Sequence, residues 1–407
     1  MKKIFGLLGQ KLSHSFSPLI HERLGDYEYP LYDMPPGDVD AFMNARRFDG
    51  FNVTIPYKQT VLPYCATLSE EARSIASVNT IVKNADGTLY GHNTDFHGFR
   101  TILERRGIDP KGKKTLVLGD GGSARTVRAV LAGMGAGEIV TISRRGENHY
   151  GNIALHFDAK VIVNTTPVGM YPNNGHSPLS LDGFTMLSGV ADLIYNPART
   201  KLLLEAEKLG IPCVGGLMML VAQAESASRL FLGCSARPEL VSDIHSMILR
   251  KTRNIALIGM PGCGKSTAGL ALAQAMGRPC VDIDERIEEI AGKSITDIFA
   301  DDGEEAFRQL ETRILSEESK GRGMVIATGG GVVTKPENRD LLLQNSLVVY
   351  LKRDLADLIT DGRPLSQNVG IQALAKQRLP LYEVWSDCTV EVEAEPERTA
   401  MRILETI

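Results

Sequence analysis

A glycine-rich segment that contains a lysine and two hydroxyl residues is the strongest chemical signal in the sequence. It matches the pattern GxxxxGK[ST], with apolar residues 255–258 before it and helix-forming residues 268–276 after it. In such loops the backbone N–H groups surround phosphate oxygens, the lysine reaches the β- and γ-phosphates, and the first hydroxyl binds Mg²⁺. The segment predicts a phosphoryl-transfer site for ATP and magnesium, made by Gly259, Gly262, Cys263, Gly264, Lys265, Ser266 and Thr267.

A second glycine-rich turn lies between an apolar stretch (115–118) and a helical one (125–132). Its GxGxxA pattern is typical of dinucleotide-binding loops, although the pattern alone also occurs in ordinary turns. The next apolar stretch, 138–142, ends in two arginines, and arginine there favours the 2′-phosphate of NADP. Paired arginines also occur on solvated surfaces, so that interpretation stays open. The predicted NADP(H) contacts here are Gly119, Gly121, Gly122, Ser123, Ala124, Ser143, Arg144 and Arg145.

The elements that must position these loops follow a repeated strand–turn–helix pattern, which predicts an α/β fold. Three apolar strands, 3–9, 115–119 and 254–259, run into glycine, and each begins a new α/β unit. The second unit lies within the first. We therefore expect a substrate lobe from 1–95 plus a returning helix at 225–250, a nucleotide lobe at 96–224, and a third unit at 251–407.

Composition excludes several classes of function. The 407 residues carry a net charge of −4, so no general attraction to nucleic acid or anionic membranes is expected. No apolar run approaches the roughly 18 residues of a membrane span. The six cysteines form no CxxC pair, which is typical of reduced thiols in the cytoplasm, where we expect the protein to act on small molecules. Oligomeric state is not indicated.

The region 254–395 resembles shikimate kinase. The resemblance is carried by Val-Asp282-Ile-Asp284, by the GExxFRxxE segment 303–311, by the triple glycine 329–331 and by Gln-Arg378-Leu-Pro-Leu-Tyr. It implies a P-loop NTPase fold with a central parallel sheet. Asp282 would help Ser266 to hold Mg²⁺, and Asp284 would accept the substrate's hydroxyl proton. The implied shikimate contacts are Asp284, Arg308, Glu311, Gly329, Gly330, Gly331 and Arg378.

Without this resemblance, the two aspartates could be surface turn carboxylates and Arg308–Glu311 a solvated i,i+3 ion pair. The resemblance also implies that Arg363, in a mobile lid, neutralises charge that develops on the γ-phosphate. Here the chain departs from the family, because its lid is short and has no basic residue shortly before Arg363. The usual contact on the adenine side is therefore in doubt.

The region 1–250 resembles shikimate dehydrogenase. The matching segments are Ser13-His-Ser-Phe-Ser-Pro18, Asn52-Val-Thr-Ile-Pro-Tyr-Lys58, Val-Asn79-Thr80 and Gly91-His-Asn-Thr-Asp95. The resemblance implies two lobes, one of them a Rossmann-type NADP-binding domain, with Lys58 and Asp95 as the catalytic pair. It implies substrate contacts from Ser15, Ser17, Thr54, Asn79, Tyr195 and Gln223, and further cofactor contacts from Thr165 and Gly216.

The pair Lys58 and Asp95 suits the reduction of a ketone. Hydride delivery to a ketone needs a proton donor at the oxygen, and a lysine beside a carboxylate supplies one. On position alone, Asp95 could instead cap the predicted helix 96–106, and Lys58 could be an exposed lysine. Two departures from the family suggest weaker NADPH binding. Asp120 would repel the pyrophosphate, and the connection 146–160 is short.

Together the two halves predict a bifunctional enzyme that reduces 3-dehydroshikimate with NADPH and phosphorylates the resulting shikimate on its 3-hydroxyl with ATP. Two alternatives remain. One is a quinate dehydrogenase joined to another small-molecule kinase, and the other is an inactive sensor of pathway intermediates. The intact Lys58, Asp95, Lys265, Asp284 and Arg363 argue against a sensor.

The arginines after the second glycine-rich turn give a test of cofactor choice. Replacing Arg144 and Arg145 together with glutamine should narrow a preference for NADPH over NADH by roughly 1.5–3 kcal/mol, the worth of a charge-assisted hydrogen bond. Steady-state kcat/KM for both cofactors measures this, and NADH serves as the internal control because it lacks the 2′-phosphate. Equal use of both cofactors by the unmodified enzyme would contradict the prediction.

Overall fold

The computed structural model describes residues 2–358 and 370–407 and contains three β-sheets flanked by helices. The chain divides into two compact units. The first comprises Met1–Val168, Ser177–Tyr195 and Glu205–Met247, and the second comprises Gly169–His176, Asn196–Leu204 and Ile248–Ile407. No helix in the described part of the chain is both long and apolar enough to cross a membrane.

The first sheet of the first unit has six strands in the order β2-β1-β3-β5-β6-β4. The pairs β3–β5 and β5–β6 are antiparallel, whereas β1 pairs in parallel with β2 and β3. Its elements are β1 Leu7–Gly9, α1 Ser17–Leu24, β2 Leu31–Asp33, α2 Val39–Ala45, β3 Gly50–Val53, β4 Thr67–Leu68, α3 Glu70–Ile75, β5 Thr80–Lys83 and β6 Leu89–His92.

The second sheet is parallel, in the order β11-β10-β9-β7-β8. Strand β7 is buried throughout, as expected for a parallel strand covered on both faces by helices. The elements are α4 Thr94–Arg106, β7 Thr115–Leu118, α5 Gly122–Gly133, β8 Ile139–Ile142, β9 Val161–Asn164, β10 Gly189–Asp192, α6 Lys201–Lys208, β11 Cys213–Val214, α7 Gly216–Leu232 and α8 Pro238–Thr252. In the short connection between β8 and β9 the structure has a 3₁₀ helix, Tyr150–His156.

The sheet of the second unit is also parallel, in the order β13-β14-β12-β15-β16. Its fully buried central strand β12 runs directly into the phosphate loop. The elements are β12 Asn254–Ile258, α9 Lys265–Met276, β13 Cys280–Asp282, α10 Ile283–Ala291, α11 Ile295–Asp301, α12 Gly303–Glu318, β14 Val325–Ala327, α13 Pro336–Asn345, β15 Ser346–Lys352, α14 Ile371–Trp385, β16 Cys388–Glu391 and α15 Pro396–Thr406.

Candidate active sites

In the first unit, Lys58 and Asp95 form an ion pair with 2.6 Å between Nζ and Oδ2. The side chains keep 30% and 18% of their surface exposed, so the pair can be reached from solvent. Asp95 lies in the first turn of α4, where the positive end of the helix dipole stabilises a carboxylate. The N-cap of α4 is Asn93, so the alternative in which Asp95 caps this helix is wrong.

Behind the pair lies a buried cluster of polar side chains. Asn79 Oδ1 accepts a hydrogen bond from the Thr94 backbone N–H at 2.7 Å and lies 3.2 Å from the Thr94 hydroxyl oxygen. Asn79 Nδ2 points to Gln223 Oε1 at 3.5 Å, and Thr94 Oγ1 donates to the same oxygen at 3.3 Å. The structure thus brings together the predicted Asn79 and Gln223, which lie far apart in the sequence.

The other predicted substrate residues of this unit lie on loops that follow its strands. The Ser17 N–H donates to Ser15 Oγ at 3.2 Å, which places the two hydroxyl residues side by side at the start of α1. The Tyr195 ring lies 5.9 Å from that of Phe16 and remains 37% exposed. Thr54 follows β3 and is half-buried, with its backbone N–H bonded to Leu8.

The loop after β7 has the geometry that a dinucleotide phosphate requires. Gly119 has φ +102°, and a Cβ there would lie 2.9 Å from Thr165 Oγ1. Thr165 itself is held by a 2.6 Å hydrogen bond to the Leu118 carbonyl. Gly121 is the N-cap of α5, and a Cβ at this position would have no heavy atom within 4 Å. The residues therefore fit a pyrophosphate, with an open cradle at a helix N-terminus where strand order reverses.

The remaining predicted cofactor residues surround this loop. Ser123 is exposed in the first turn of α5 and Ala124 is fully buried against the core. Beyond β8, Ser143 is buried, whereas the two following arginines are exposed. Asp120 is exposed to solvent at the rim of the loop, so its charge is solvated. Gly216 begins α7, and a Cβ there would lie 2.0 Å from the Leu193 carbonyl oxygen, so no other residue fits.

In the second unit, the loop after β12 curls around the ammonium of its own lysine. Lys265 Nζ donates to the carbonyl oxygens of Gly259 and Met260, each at 3.0 Å, and the residue is only 7% exposed. Gly259 has φ +152° and Gly264, the N-cap of α9, has φ +99°. Ser266 and Thr267 are exposed in the first turn, while Gly262 and Cys263 are buried.

Next to this loop lie three ionisable residues in a largely buried cluster. Arg308 Nη1 donates to Glu311 Oε2 at 2.7 Å, and both residues are almost fully buried. A Cβ at Gly329 would lie 2.5 Å from Glu311 Oε1 and 2.7 Å from Asp284 Oδ1, which shows how closely the backbone approaches both carboxyl groups. Burial, reinforced by the neighbouring Glu311 and Asp282, raises the pKa of Asp284 to about 6.

The two glycines that follow bring further groups to the same place. The Gly330 carbonyl accepts hydrogen bonds from Arg378 Nη1, at 3.2 Å, and from the Tyr382 hydroxyl. Burial lowers the pKa of the Arg378 guanidinium from its ordinary value. A Cβ at Gly331 would lie 2.1 Å from Arg308 Nη2, so the glycine backbone lies directly against the guanidinium.

Comparison with known proteins identifies both regions. The shikimate kinase family matches residues 261–407, and the shikimate dehydrogenase substrate-binding domain matches residues 7–81. The shikimate dehydrogenase (NADP(+)) of Caldicellulosiruptor bescii is 40% identical over 57% of this chain and 89% of its own length. The chain belongs to the shikimate dehydrogenase family.

Solved structures agree with this assignment. A chorismate mutase/shikimate 5-dehydrogenase fusion protein from Clostridium acetobutylicum is 34% identical, with a TM-score of 0.57 over 61% of this chain and 97% of its own. Shikimate 5-dehydrogenase from Thermus thermophilus, in complex with NADP(H) and shikimate, is 31% identical, with a TM-score of 0.55 over 61% of this chain and 99% of its own.

These comparisons confirm the predicted fold class and the predicted bifunctional enzyme, an NADP-dependent shikimate dehydrogenase joined to an ATP- and magnesium-dependent shikimate kinase. The roles of single residues stay predictions. Among them, Arg363 lies outside the described residues.

The two aspartates of the kinase lie where strand β13 passes into helix α10. Only Asp282 ends β13, and its Oδ1 caps α10 by accepting from the N–H groups of Asp284, at 2.9 Å, and Glu285, at 3.4 Å. Asp284 lies in the first turn of that helix. The cap fixes the direction of the Asp282 carboxylate.

Sequence reasoning missed three polar residues of the dehydrogenase: Asn52, Thr80 and Thr94. All three are buried, and each lies inside a motif that was recognised for a neighbouring residue. A usable signal was available, because a buried polar side chain needs a hydrogen-bond partner and several such residues within matching motifs indicate a network.

The contact between Gly331 and Arg308 gives a test of the kinase site. Gly331→Ala should displace the guanidinium and raise the shikimate KM of the kinase about tenfold or more, with the ATP KM within about twofold, because one charge-assisted hydrogen bond is worth ~1.5–3 kcal/mol. Steady-state phosphorylation assays measure both constants. Gly269→Ala is the matched control, since its Cβ would make only a 3.4 Å contact with Leu257. Unchanged shikimate KM in Gly331→Ala would contradict the assigned role of Arg308.

Proposed function

We propose that residues 1–250 reduce 3-dehydroshikimate to shikimate with NADPH, and that residues 251–407 phosphorylate the 3-hydroxyl of shikimate with Mg·ATP. The reductase assignment rests chiefly on the 2.6 Å Lys58–Asp95 pair beside the buried Asn79 cluster. The kinase assignment rests on Asp284, a carboxyl group with a raised pKa, lying near the buried Arg308. These domain boundaries and residue roles are part of the proposal.

In the reductase, Lys58 donates a proton to the ketone oxygen of the substrate. NADPH, when bound, supplies the hydride to the carbonyl carbon of that ketone. Asp95 accepts a hydrogen bond from the ammonium and so holds it at the position where the oxyanion develops. In the reverse direction the neutral amine takes the hydroxyl proton back. The pair thus acts as one proton-transfer device with a fixed geometry.

Substrate orientation comes from the surrounding polar groups. The adjacent hydroxyls of Ser15 and Ser17 suit a carboxylate, which accepts hydrogen bonds from both. Asn79 and Gln223 face the ring hydroxyls, together with Thr54. The exposed Tyr195 ring covers the substrate from the loop that follows β10.

The cofactor would be held by the loops at the carboxyl ends of β7, β8 and β9. Backbone N–H groups of Gly121 and Gly122 at the start of α5 would bind the pyrophosphate, supported by the close contact of Gly119 with Thr165. Exposed Arg144 and Arg145 would meet the 2′-phosphate.

In the kinase, Asp284 accepts the proton of the attacking 3-hydroxyl. Arg308 and Arg378 bind the shikimate carboxylate, and Glu311 fixes the guanidinium of Arg308 from behind. Lys265 would exchange its two loop carbonyls for β- and γ-phosphate oxygens, and Ser266 and Asp282 would hold the magnesium ion, which neutralises phosphate charge. Arg363 would complete the site over the γ-phosphate.

The two activities should separate by single substitutions in the full chain. Lys58→Ala should lower ketone reduction by about 10²–10⁴-fold, the usual worth of a positioned proton donor, and leave phosphorylation of added shikimate intact. Lys265→Ala should do the reverse, by about 10²-fold or more, because it removes the cation at the transferred phosphate. Each variant is the control for the other.

The assay is direct. The unmodified protein, given 3-dehydroshikimate, NADPH and Mg·ATP, should yield shikimate 3-phosphate. In Lys265→Ala shikimate should accumulate instead. In Lys58→Ala neither shikimate nor shikimate 3-phosphate should accumulate. Loss of both activities in a folded single variant would overturn the assignment of two independent sites.

The raised pKa of Asp284 predicts the acid limb of the pH profile of the kinase, that is, the pH range in which kcat/KM falls. A general base acts only when ionised, so kcat/KM for shikimate should fall about tenfold per pH unit below pH ~6. Asp284→Asn should remove this limb together with most of the rate. Samples held at low pH and assayed again at pH 7 control for unfolding. If kcat/KM instead began to fall only near pH 4, the ordinary pKa of an aspartate, this would argue against Asp284 as the base.

A further inference from the structure

A row of hydrogen-bonded side chains leads from an aromatic cluster to the amide groups of the reductase site. The Tyr29 hydroxyl bonds to Asn52 Oδ1 at 2.7 Å, and Asn52 Nδ2 bonds to Thr80 Oγ1 at 3.0 Å. Thr80 Oγ1 in turn donates to Asn79 Oδ1 at 3.0 Å. Asn52, Thr80 and Asn79 are at most 4% exposed, so water cannot readily replace these bonds.

Two backbone groups fix the orientation of the Asn79 and Asn52 amides in this row. The Thr94 N–H can only donate, and it donates to Asn79 Oδ1. The Asn79 carbonyl can only accept, and it faces Asn52 Nδ2 at 3.4 Å. The oxygen of Asn52 must therefore face Tyr29, which donates to it. Thr80, which receives an N–H from Asn52, keeps its own proton to donate, and Asn79 Oδ1 at 3.0 Å is nearer to it than the Thr94 hydroxyl oxygen at 3.2 Å.

The consequence appears at the end of the row. Asn79 Oδ1 is occupied by donors from Thr94 and Thr80, and one N–H of Nδ2 points to Gln223 Oε1 at 3.5 Å, which leaves the other N–H as the group that the side chain can offer. Gln223 is oriented similarly, because its Oε1 faces the Thr94 hydroxyl and its Nε2 donates to the Leu220 carbonyl at 2.9 Å. This corner of the site therefore presents N–H donors, and a hydroxyl that binds there is received through its oxygen.

We propose that Asn52 is a positioning residue of the reductase: through Thr80 it holds the Asn79 amide with its remaining N–H group directed towards a substrate hydroxyl. This inference rests on the substrate role proposed above for Asn79. Asn52 touches neither the substrate nor the Lys58–Asp95 pair in this arrangement. Its loss should therefore affect substrate binding more than the proton-transfer step.

The experiment uses the full chain and measures shikimate oxidation with NADP⁺. Asn52→Leu removes the hydrogen bonds of Asn52 to Tyr29, Thr80 and the Asn79 carbonyl with little change of volume, and Tyr29→Phe removes only the first donor of the row. Tyr27→Phe is the matched control. Tyr27 lies in the same aromatic cluster, 5.0 Å from the Phe5 ring, but its hydroxyl bonds to His21 and is connected to Asn52 only through that histidine.

The shikimate KM should rise about five- to fiftyfold in Asn52→Leu and about two- to tenfold in Tyr29→Phe, the range for buried polar groups that lose a partner. We expect kcat and the NADP⁺ KM to stay within about threefold, and Tyr27→Phe to leave all constants unchanged. A purely structural role would instead lower thermal stability and kcat in both tyrosine variants alike, without a selective change in shikimate KM.

Asn79→Ala distinguishes a failure of the substrate contact of Asn79 from a failure of the positioning role of Asn52. If it leaves the shikimate KM unchanged, the proposed substrate contact of Asn79 fails. If it raises the KM while the Asn52 and Tyr29 variants do not, the positioning role alone is overturned. Should Asn52→Leu fail to fold, the tyrosine pair decides, and equal shikimate KM values in Tyr29→Phe and Tyr27→Phe would overturn the inference.

Discussion

The hydrogen bond from the Thr94 N–H to Asn79 is the contact on which the reductase site depends. It ties the first turn of α4, which carries Asp95, to the segment before β5. The residue before Asn79, Val78, donates its N–H to the Lys58 carbonyl at 2.8 Å. One short piece of backbone therefore positions both partners of the proposed catalytic pair. Because these contacts are buried, a change in any of them would displace the pair or leave a polar group without a partner.

The kinase site depends on a different constraint, the close approach of a glycine backbone to buried charges. Arg308 and Glu311 lie in the interior, where an isolated charge is costly and a hydrogen-bonded partner is needed. Gly329 and Gly331 leave no room for a Cβ beside these groups. The ion pair can thus lie directly under the backbone, where it is dry and fixed before substrate arrives.

Local patterns in the sequence were sufficient to predict the loops, because each loop follows a buried strand and precedes a helix. The helix predicted at 96–106 begins two residues earlier, since Asn93 and not Asp95 occupies the cap. The polar network could not be predicted in this way. Asn79 and Gln223 are 144 residues apart, and no local periodicity links them. The partner of Asn52 likewise depends on how β3 pairs with β5.

The two sites place an aspartate in opposite surroundings for opposite tasks. Asp95 lies at a helix N-terminus with the Lys58 ammonium 2.6 Å away, where it holds in place the cation that we propose as the proton donor. Asp284 also lies in the first turn of a helix, yet burial and two neighbouring carboxyl groups dominate and raise its pKa. A carboxylate that binds a proton more tightly is a better base for a hydroxyl. The helix terminus is common to both, so the neighbouring charge and the burial decide what each aspartate can do.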